Sequence, residues 1–506
     1  MTDIVLVHPN GVHGIYGALG DQLVSREQPL WPRLIAGYLL DRQFDVAIID
    51  AECDGLTPEQ VTLQIAEYNP RVVAIVVSGH QPSASTQAMP GARAVAEALQ
   101  NYYCDKGSLR PRIVMMGNHP SALPVRTLTE ESPFGVDYVI DGEGPITLLG
   151  LLNDEDRRTI PGLVYWDQTD FGNGNVGELP HSNPLAPLLD VNVDLHGNAW
   201  HLLPPPSRYR SHSWQRLGSL EDRNPYAAIF TSLGCAFKCH FCMINVFQHT
   251  NRYRMRNPEM VVEEIAMLYH KYGVKTFKMT DELFVLNKNH CRDICEGIIK
   301  AGLGNKISIW CYARPDTVGS NELAMFRQAG FDWFALGIES GAESIRDGAD
   351  KSMSQQEIKD VVRDIEAAGI NVIANYIFGL PGETHETMQA TLDLAQGLNT
   401  AFANFYCAMA YPGSKLYDEA VEKGWPLPET WAGYSQHNEF STPLRTDALS
   451  AAELLAFRDQ AFTTYFTSKR YVDNVTQRFG QEARVHIEKM TSYKLKRRLL
   501  DNEGNK

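Results

Sequence analysis

The sequence contains no apolar run that approaches the ~20 residues a membrane-spanning helix needs. It also has no excess of basic residues: 46 Lys and Arg stand against 61 Asp and Glu, which gives a net charge of −15. This charge disfavours binding to nucleic acid or to an anionic membrane surface. We therefore expect neither a membrane nor a nucleic-acid partner, and the acidic balance suits a soluble enzyme.

An export signal is also missing, because the first residues, Met1 to His8, have an apolar strand pattern with no basic segment before it. We therefore expect a cytoplasmic protein in a reducing compartment. Clustered cysteines in such a compartment bind metal or act chemically more often than they form disulfides.

The length of 506 residues favours about three domains, and a hydrophobic content of 44% is that of a packed globular protein. Strand and helix patterns alternate over residues 1–150. A proline-rich connector with recurring aromatic residues is predicted over 151–224, a second alternation over 225–425 and a helical region over 426–506. Near its end, Lys494 to Arg498 form a basic run that we interpret as a solvated helix terminus.

The N-terminal region is predicted to be α/β, with a doubly wound parallel sheet, because its strands are apolar throughout and are separated by helices. Glycine-bearing turns follow four of the strands, at Gly11, Gly79, Gly117 and Gly142. Ligands bind at this carboxyl edge of such sheets, and glycine lets the backbone approach them closely. The alternative is that these glycines only serve tight turns. The G-x-G-x-x-G fingerprint is missing after the first strand, which argues against NAD or FAD.

Residues 225–425 are predicted to form six strand–helix units of a partial TIM-like (β/α)6 barrel. In barrel folds the chemistry lies at the carboxyl ends of the strands. This placement would bring a cysteine-rich loop near 235–242 together with Asp281, Glu282, Arg314 and Glu339.

Three cysteines in that loop, Cys235, Cys239 and Cys242, have the spacing C-x3-C-x2-C. Three thiolates can hold three corners of a cubane iron–sulfur cluster, which normally takes four cysteines, so one iron stays open. The alternatives are a structural zinc site, which usually has a second cysteine pair elsewhere, and three packed thiols.

The cysteine loop, with Phe241 before its last cysteine, is similar to the signature of the radical S-adenosylmethionine (SAM) superfamily. The resemblance implies that the three cysteines ligate a [4Fe–4S] cluster and that SAM chelates the open iron. It places further contacts with SAM at Phe241, Asp281, Glu282, Arg314, Glu339, Ser340, Ile377 and Gly379. In the motif that contains Ile377 and Gly379, Asn375 stands where the superfamily usually has a leading glycine. A solvated loop or helix cap is the alternative for Asp281 and Glu282, and a structural salt bridge is the alternative for Arg314.

The turns of the N-terminal region resemble those of the cobalamin-binding domain found in front of radical SAM enzymes. The resemblance implies cobalamin contacts at Asn10, Gly11, Ser78, Gly79, Gly117, Asn118, Gly142 and Glu143. Many corrinoid proteins supply a histidine to cobalt from a D-x-H-x-x-G motif. The residues around His13 do not match it, which implies cobalamin bound without a protein histidine on cobalt.

The combined resemblance implies a cobalamin-dependent radical SAM enzyme. A reductant such as flavodoxin or ferredoxin would reduce the cluster, which would cleave SAM to a 5′-deoxyadenosyl radical. Methylcobalamin would then methylate an unactivated carbon of a small-molecule biosynthetic intermediate, and a second SAM would restore the methyl group. Tyr406, Cys407 and Tyr411 are candidates for the substrate pocket, although packing explains them equally well.

Two alternatives to methylation remain open. One has the same cofactors but performs oxidative cyclisation or ring rearrangement, as in anaerobic chlorophyll-ring cyclases. The other is a non-catalytic corrinoid-binding carrier or sensor, against which the intact cysteine trio argues. A methylthiotransferase is disfavoured, because the N-terminal domain of that family carries a second cysteine trio.

Overall fold

Two parallel sheets joined by a long connector form the framework of the chain. They are seen in a computed structural model that describes residues 2–19, 24–79, 81, 84–170, 176–196, 199–349 and 351–503. Buried strands supply the core of both sheets, and helices cover them.

The N-terminal sheet has seven strands among the described residues, in the order β2-β1-β3-β4-β5-β6-β7. The strands are β1 (Ile4–His8), β2 (Val46–Asp50), β3 (Val72–Val77), β4 (Arg112–Gly117), β5 (Tyr138–Ile140), β6 (Leu163–Asp170) and β7 (Val176–Ser182). The first five are parallel, so the predicted doubly wound sheet is confirmed. The last two form an antiparallel hairpin that extends the sheet to Ser182, beyond the boundary expected at 150.

Helices follow these strands, in agreement with the predicted alternation of strand and helix patterns. They are α1 (Val12–Tyr16), α2 (Leu30–Leu40), α3 (Ala51–Asp54), α4 (Pro58–Tyr68), α5 (Ala84–Lys106), α6 (Asn118–Ala122), α7 (Pro124–Glu131) and α8 (Pro145–Leu152). Helix α4 shows how local sequence signals determine where a helix begins. Thr57 accepts from the backbone N–H of Gln60, the Gln60 side chain accepts from that of Thr57, and Pro58 opens the helix.

The connector is largely irregular, but its aromatic side chains are buried, as predicted for a segment packed over both neighbours. Trp200 donates its indole N–H to Glu264 of the second domain. Tyr209 donates its hydroxyl to Asp50 of the first. These bonds tie the connector to both sheets.

The second sheet confirms the predicted partial barrel, with six parallel strands in sequence order. They are β8 (Tyr226–Ile229), β11 (Thr276–Met279), β12 (Ser308–Ala313), β13 (Phe331–Glu339), β14 (Asn371–Phe378) and β15 (Phe402–Cys407), while the short β9 (Ser232–Leu233) and β10 (Arg254–Met255) pair separately. The surrounding helices are α9 (Pro258–Tyr272), α10 (Lys288–Lys300), α11 (Leu323–Ala329), α12 (Glu343–Gly348), α13 (Gln355–Ala367), α14 (His385–Leu398) and α15 (Lys415–Glu422).

Both open edges of this partial barrel are covered by side chains that bond to the backbone as a strand would. At β8, the Gln28 amide donates to the carbonyl of Tyr226 and accepts from the N–H of Ala228. At β15, the Gln436 amide donates to the carbonyl of Cys407 and accepts from its N–H. Unpaired edge groups invite association with other chains, so these two amides protect the barrel without closing it.

The C-terminal region is helical only from residue 451, in α16 (Ala451–Thr467), α17 (Lys469–Phe479), α18 (Gln481–Ser492) and α19 (Arg498–Glu503). The basic run is exposed to solvent at Lys494, Lys496 and Arg498, as predicted, but not at Arg497. Arg497 is buried and donates to both carboxylate oxygens of Asp459, because it packs under α16. Within the described ranges, no helix combines the length and the apolar character needed to cross a bilayer.

Candidate active site

The cysteine loop leaves the barrel between β9 and β10, which pair with each other and close its base. Gly234 opens the loop with φ +86°, and a Cβ there would stand 2.3 Å from the carbonyl oxygen of Arg252, so only glycine fits. Asn245 then organises the interior of the loop. Its side chain accepts from the N–H of Cys235 and donates to the carbonyl of Phe237. The sequence analysis did not identify Asn245, since a lone Asn carries no motif.

The three cysteines of this loop are free thiols, each partly accessible. Burial raises the pKa of Cys235, and it raises the pKa of Cys242 to about 12, so a bound cation is needed to hold both as thiolates. Among the described side chains, no three His, Cys, Asp or Glu residues converge on a single metal ion. A cubane cluster needs no such convergence, because each thiolate binds a different iron. The thiol donor set on one glycine-led loop therefore fits the cluster.

Arg314 lies against this loop, as predicted from its place after β12. Its guanidinium lies over the ring of Phe237, and Nη1 is 3.5 Å from the sulfur of Cys239. Nε and Nη2 donate to the carboxylate of Asp316. The side chain is thus brought to the cluster loop but is already paired, and contact with a SAM carboxylate stays a prediction.

Asp281 and Glu282 have different surroundings, although they are consecutive. Asp281 is fully buried, and its carboxylate accepts from the N–H and hydroxyl of Thr231 and from the hydroxyl of Ser232. Glu282 keeps accessible surface and accepts from the N–H of Gly234, while burial raises its pKa to about 7. Asp281 therefore holds the base of the cysteine loop, and Glu282 is the carboxylate of this pair that can reach a ligand.

Glu339 and Ser340, at the end of β13, also have different surroundings. Glu339 has φ +68°, which is rare outside glycine, and its carboxylate pairs with Lys351. Lys351, which the sequence analysis did not identify, also donates to the carbonyl of Gly337. Ser340 is fully buried, and its hydroxyl bonds to that of Thr391. The Ser340 hydroxyl is therefore part of the barrel wall, and a direct ligand contact from it is not supported.

The glycine motif after β14 lies partly at the mouth of the barrel and partly against the C-terminal helices. Phe241 and Ile377 border one apolar cluster, so these two predicted contacts are brought together. Gly379 has φ +88°, and a Cβ there would stand 2.9 Å from the Leu454 side chain of α16. Its N–H donates to buried Glu383, whose pKa burial raises to about 7. Gly379 thus shapes the turn, while its contact with adenine stays a prediction.

The carboxyl edge of the N-terminal sheet consists mainly of bare backbone. At Gly142, φ is +109° and a Cβ would meet no atom within 4 Å, so the backbone faces open space that fits a flat cofactor. Gly117 packs directly on the carbonyl of Val77, and Gly79 on Ala84. Asn10 uses its amide to cap its own loop, accepting from Val12 and donating to Leu56.

The other predicted cobalamin residues at this edge differ in accessibility. Gly11 and Asn118 are buried, whereas Ser78 keeps accessible surface. Glu143, for which the resemblance implied a cobalamin contact, has a side chain that is already paired within the protein, and the contact stays a prediction. Its carboxylate pairs with Arg254 of β10, and both side chains are largely buried.

The two carboxyl edges face each other across a set of direct contacts. Besides Glu143 and Arg254, the carboxylate of Asp141 at the end of β5 pairs with His249 of the cysteine loop. Gln87 of α5 donates to the hydroxyl of Tyr411, which follows β15. A ligand on the N-terminal edge and a ligand on the cysteine loop would therefore share one space.

The wall of the barrel lumen below this space is polar and uncharged on three strands. Tyr312, Asn375, Asn404 and Tyr406 keep accessible surface, while both chain neighbours of each are buried, so these side chains point away from the helices. The Asn404 amide donates to that of Asn375. Tyr406 was a candidate for the substrate pocket, and its position agrees. Cys407 is buried against Leu454 on the opposite face.

Two protein-family models and several named proteins match this chain. Residues 229–395 match the model of the radical SAM superfamily, and residues 17–152 match that of the B12 binding domain. An uncharacterised methyltransferase of Pyrococcus horikoshii is 29% identical over 401 residues, which cover 78% of this chain and 79% of that protein. The anaerobic magnesium-protoporphyrin IX monomethyl ester cyclase of Rubrivivax gelatinosus is 25% identical over 478 residues, covering 93% and 78%.

A solved structure shows the same fold. It is the radical SAM methyltransferase TsrM of Kitasatospora setae with cobalamin and a [4Fe–4S] cluster bound, with a TM-score of 0.64 and 21% identity, covering 84% of this chain and 75% of that one. The chain therefore carries a B12 binding domain followed by a radical SAM domain, and these two domains imply cobalamin, a [4Fe–4S] cluster and SAM as cofactors.

Proposed function

We propose that the protein methylates an unactivated carbon of a small molecule. The observation that supports this proposal is that the carboxyl edges of the two sheets contact each other. A substrate between them would lie close to both cofactor sites. When bound, the cluster supplies an electron for SAM cleavage and cobalamin carries the methyl group. The matched relatives include proteins named as methyltransferases.

The side chains of the barrel edge would bind SAM as a zwitterion. Accessible Glu282 is positioned for the ammonium group of methionine, and Arg314 for its carboxylate. Asp281 would fix both by holding Thr231 and Ser232 at the base of the cysteine loop. Phe241 and Ile377 would cover the adenine with an apolar surface that excludes water.

The substrate would lie in the lumen against Tyr312, Asn375, Asn404 and Tyr406. Amide and phenol groups donate and accept hydrogen bonds without adding charge, so this wall suits an uncharged polar part of a small molecule. We propose that the reaction runs in the cytoplasm with flavodoxin or ferredoxin as electron donor, as the cluster chemistry requires a reductant.

One assay tests the proposal. The anaerobically reconstituted enzyme is supplied with reductant, SAM labelled in its methyl group, and metabolites of the host. We expect the label to enter one small-molecule product. A product that forms without label would contradict methylation.

Oxidative cyclisation is the second candidate, and one observation favours it: the named magnesium-protoporphyrin cyclase aligns over 93% of this chain. In the same assay, cyclisation yields an unlabelled product that has lost hydrogen.

A further inference from the structure

His8 joins the ends of three neighbouring strands at the carboxyl edge of the N-terminal sheet. It is the last residue of β1, and its side chain is buried. Its Nδ1 is 3.0 Å from Oδ1 of Asp50, which ends β2, and its Nε2 is 3.3 Å from the carbonyl oxygen of Ser78, just after β3. In this strand order, the gap between β1 and β3 is the switch point where such sheets bind their ligands.

The partners of His8 determine its protonation state. The carbonyl of Ser78 can only accept a hydrogen bond. Asp50 accepts from the hydroxyl of Tyr209 at 2.7 Å and from the N–H of Cys53 at 3.1 Å, so its side chain acts as an acceptor toward both of these neighbours. Both ring nitrogens must then donate, which makes His8 an imidazolium. Burial alone would lower its pKa, but the hydrogen bond and charge of Asp50 outweigh burial and raise the pKa to about 9.

The Ser78–Gly79 turn that His8 holds has little freedom of its own. The N–H of Ser78 bonds back to the carbonyl of Val76, and a Cβ on Gly79 would stand 2.3 Å from that of Ala84 in α5. The carbonyl oxygen of Ser78 lies 3.3 Å from Nε2 of His8, so the second ring N–H of His8 can satisfy it there. A neutral ring would bond to Asp50 or to Ser78, but not to both.

We propose that His8 is the positioning residue of the cobalamin site, an imidazolium that fixes the Ser78–Gly79 turn on which the cofactor rests. It does not reach cobalt in this role, because both of its nitrogens are engaged within the sheet. The inference rests on the B12-binding assignment of this domain and is independent of whether the enzyme methylates its substrate.

The proposal predicts how cobalamin affinity depends on pH. The ionisable groups that face His8 are Asp50, Glu52, Cys53 and Tyr209. Because the pKa of His8 in the folded protein is raised to about 9, the imidazolium is the main form at neutral pH and is lost as pH rises through 9. We therefore expect the affinity to be nearly constant from neutral pH to mild alkali and to fall above pH 9.

The test is equilibrium binding of cyanocobalamin, whose cobalt ligands do not titrate in this range, to the full-length protein with its cluster, followed by absorbance at several pH values. His8→Gln, which has one donor group, is expected to bind about tenfold more weakly at neutral pH, with no further loss above pH 9. Ile4→Val is the matched control, since it perturbs the opposite end of the same strand and should leave the affinity and its pH profile unchanged.

Two outcomes would overturn the proposal. One is unchanged affinity in His8→Gln. The other is a wild-type affinity that stays flat past pH 9, which would exclude the imidazolium even if the variant fails to fold.

Discussion

The carboxyl edges of the two sheets face one space but present different chemistry to it. The N-terminal edge offers bare backbone at Gly142 and tightly packed turns at Gly79 and Gly117. The barrel edge offers charged side chains in pairs, such as Glu339 with Lys351 and Arg314 with Asp316. Backbone suits a broad, flat cofactor, whereas placed charges suit a small zwitterion. This difference is the reason to expect cobalamin at the N-terminal edge and SAM at the barrel edge.

The largest expected effect comes from removing a cluster ligand. This change should abolish SAM cleavage at the barrel edge and leave cobalamin binding at the N-terminal edge intact. Cys239→Ala should lose most of its iron and sulfide and form 5′-deoxyadenosine at least about 100-fold more slowly, because the remaining two thiolates cannot hold the cluster. Iron analysis and product chromatography measure both. Hydroxocobalamin binding should remain. Cys104→Ser, an exposed cysteine on α5, is the control and should keep its iron.

A second test breaks the contact between the two walls. Glu143→Gln leaves Arg254 largely buried without its charge partner, so we expect the free energy of unfolding to fall by about 3 kcal/mol. Chemical denaturation measures it. Asp156→Asn removes the exposed partner of Arg158 and should change nothing measurable. Equal effects of the two variants would show that the buried pair does not hold the domains together.

A third test separates the consecutive carboxylates of the barrel wall. Glu282→Gln should weaken SAM binding about tenfold, because a charge-assisted hydrogen bond is lost, and should leave folding intact. Asp281→Asn should instead lower the free energy of unfolding by about 2 kcal/mol, since the amide nitrogen that replaces Oδ2 cannot accept from the buried N–H of Thr231. Calorimetry with SAM and thermal unfolding distinguish them. A larger loss of SAM affinity in Asp281→Asn would reverse this assignment.

The smallest expected effect tests whether cobalamin contacts the backbone of the N-terminal edge. Gly142→Ala costs about 1 kcal/mol of strain at φ +109° and places a methyl group in the open space, so cobalamin should bind a few-fold more weakly. Gly117→Ala should instead destabilise the fold, because its Cβ would stand 2.1 Å from the carbonyl oxygen of Val77. Titration with hydroxocobalamin checks the first variant and thermal unfolding the second. Unchanged affinity in Gly142→Ala would remove that turn from the site.

Much of the fold is readable from the sequence because strands buried on both faces carry continuous apolar runs, as in Val72–Val77. Local signals also suffice for caps such as Thr57 and Ser354. The hairpin from Leu163 to Ser182 falls in the segment predicted as a connector, since an added antiparallel edge strand carries no signal of the sheet it joins.

The candidate site was predictable in its motifs but not in its pairings. Spacing identifies Cys235, Cys239 and Cys242, whereas nothing in the sequence tells which of Asp281 and Glu282 turns inward, because that depends on where the strand ends. Glu143 meets Arg254 only after two domains dock. Sequence analysis also passed over His8, which reads as an ordinary residue at the end of a strand.

If the cofactors of both edges act on one substrate, the products formed from SAM must show it. With methyl-labelled SAM and reductant, the enzyme should form labelled product together with 5′-deoxyadenosine and S-adenosylhomocysteine in equal amounts. Formation of 5′-deoxyadenosine with an unlabelled product and no S-adenosylhomocysteine would contradict this expectation.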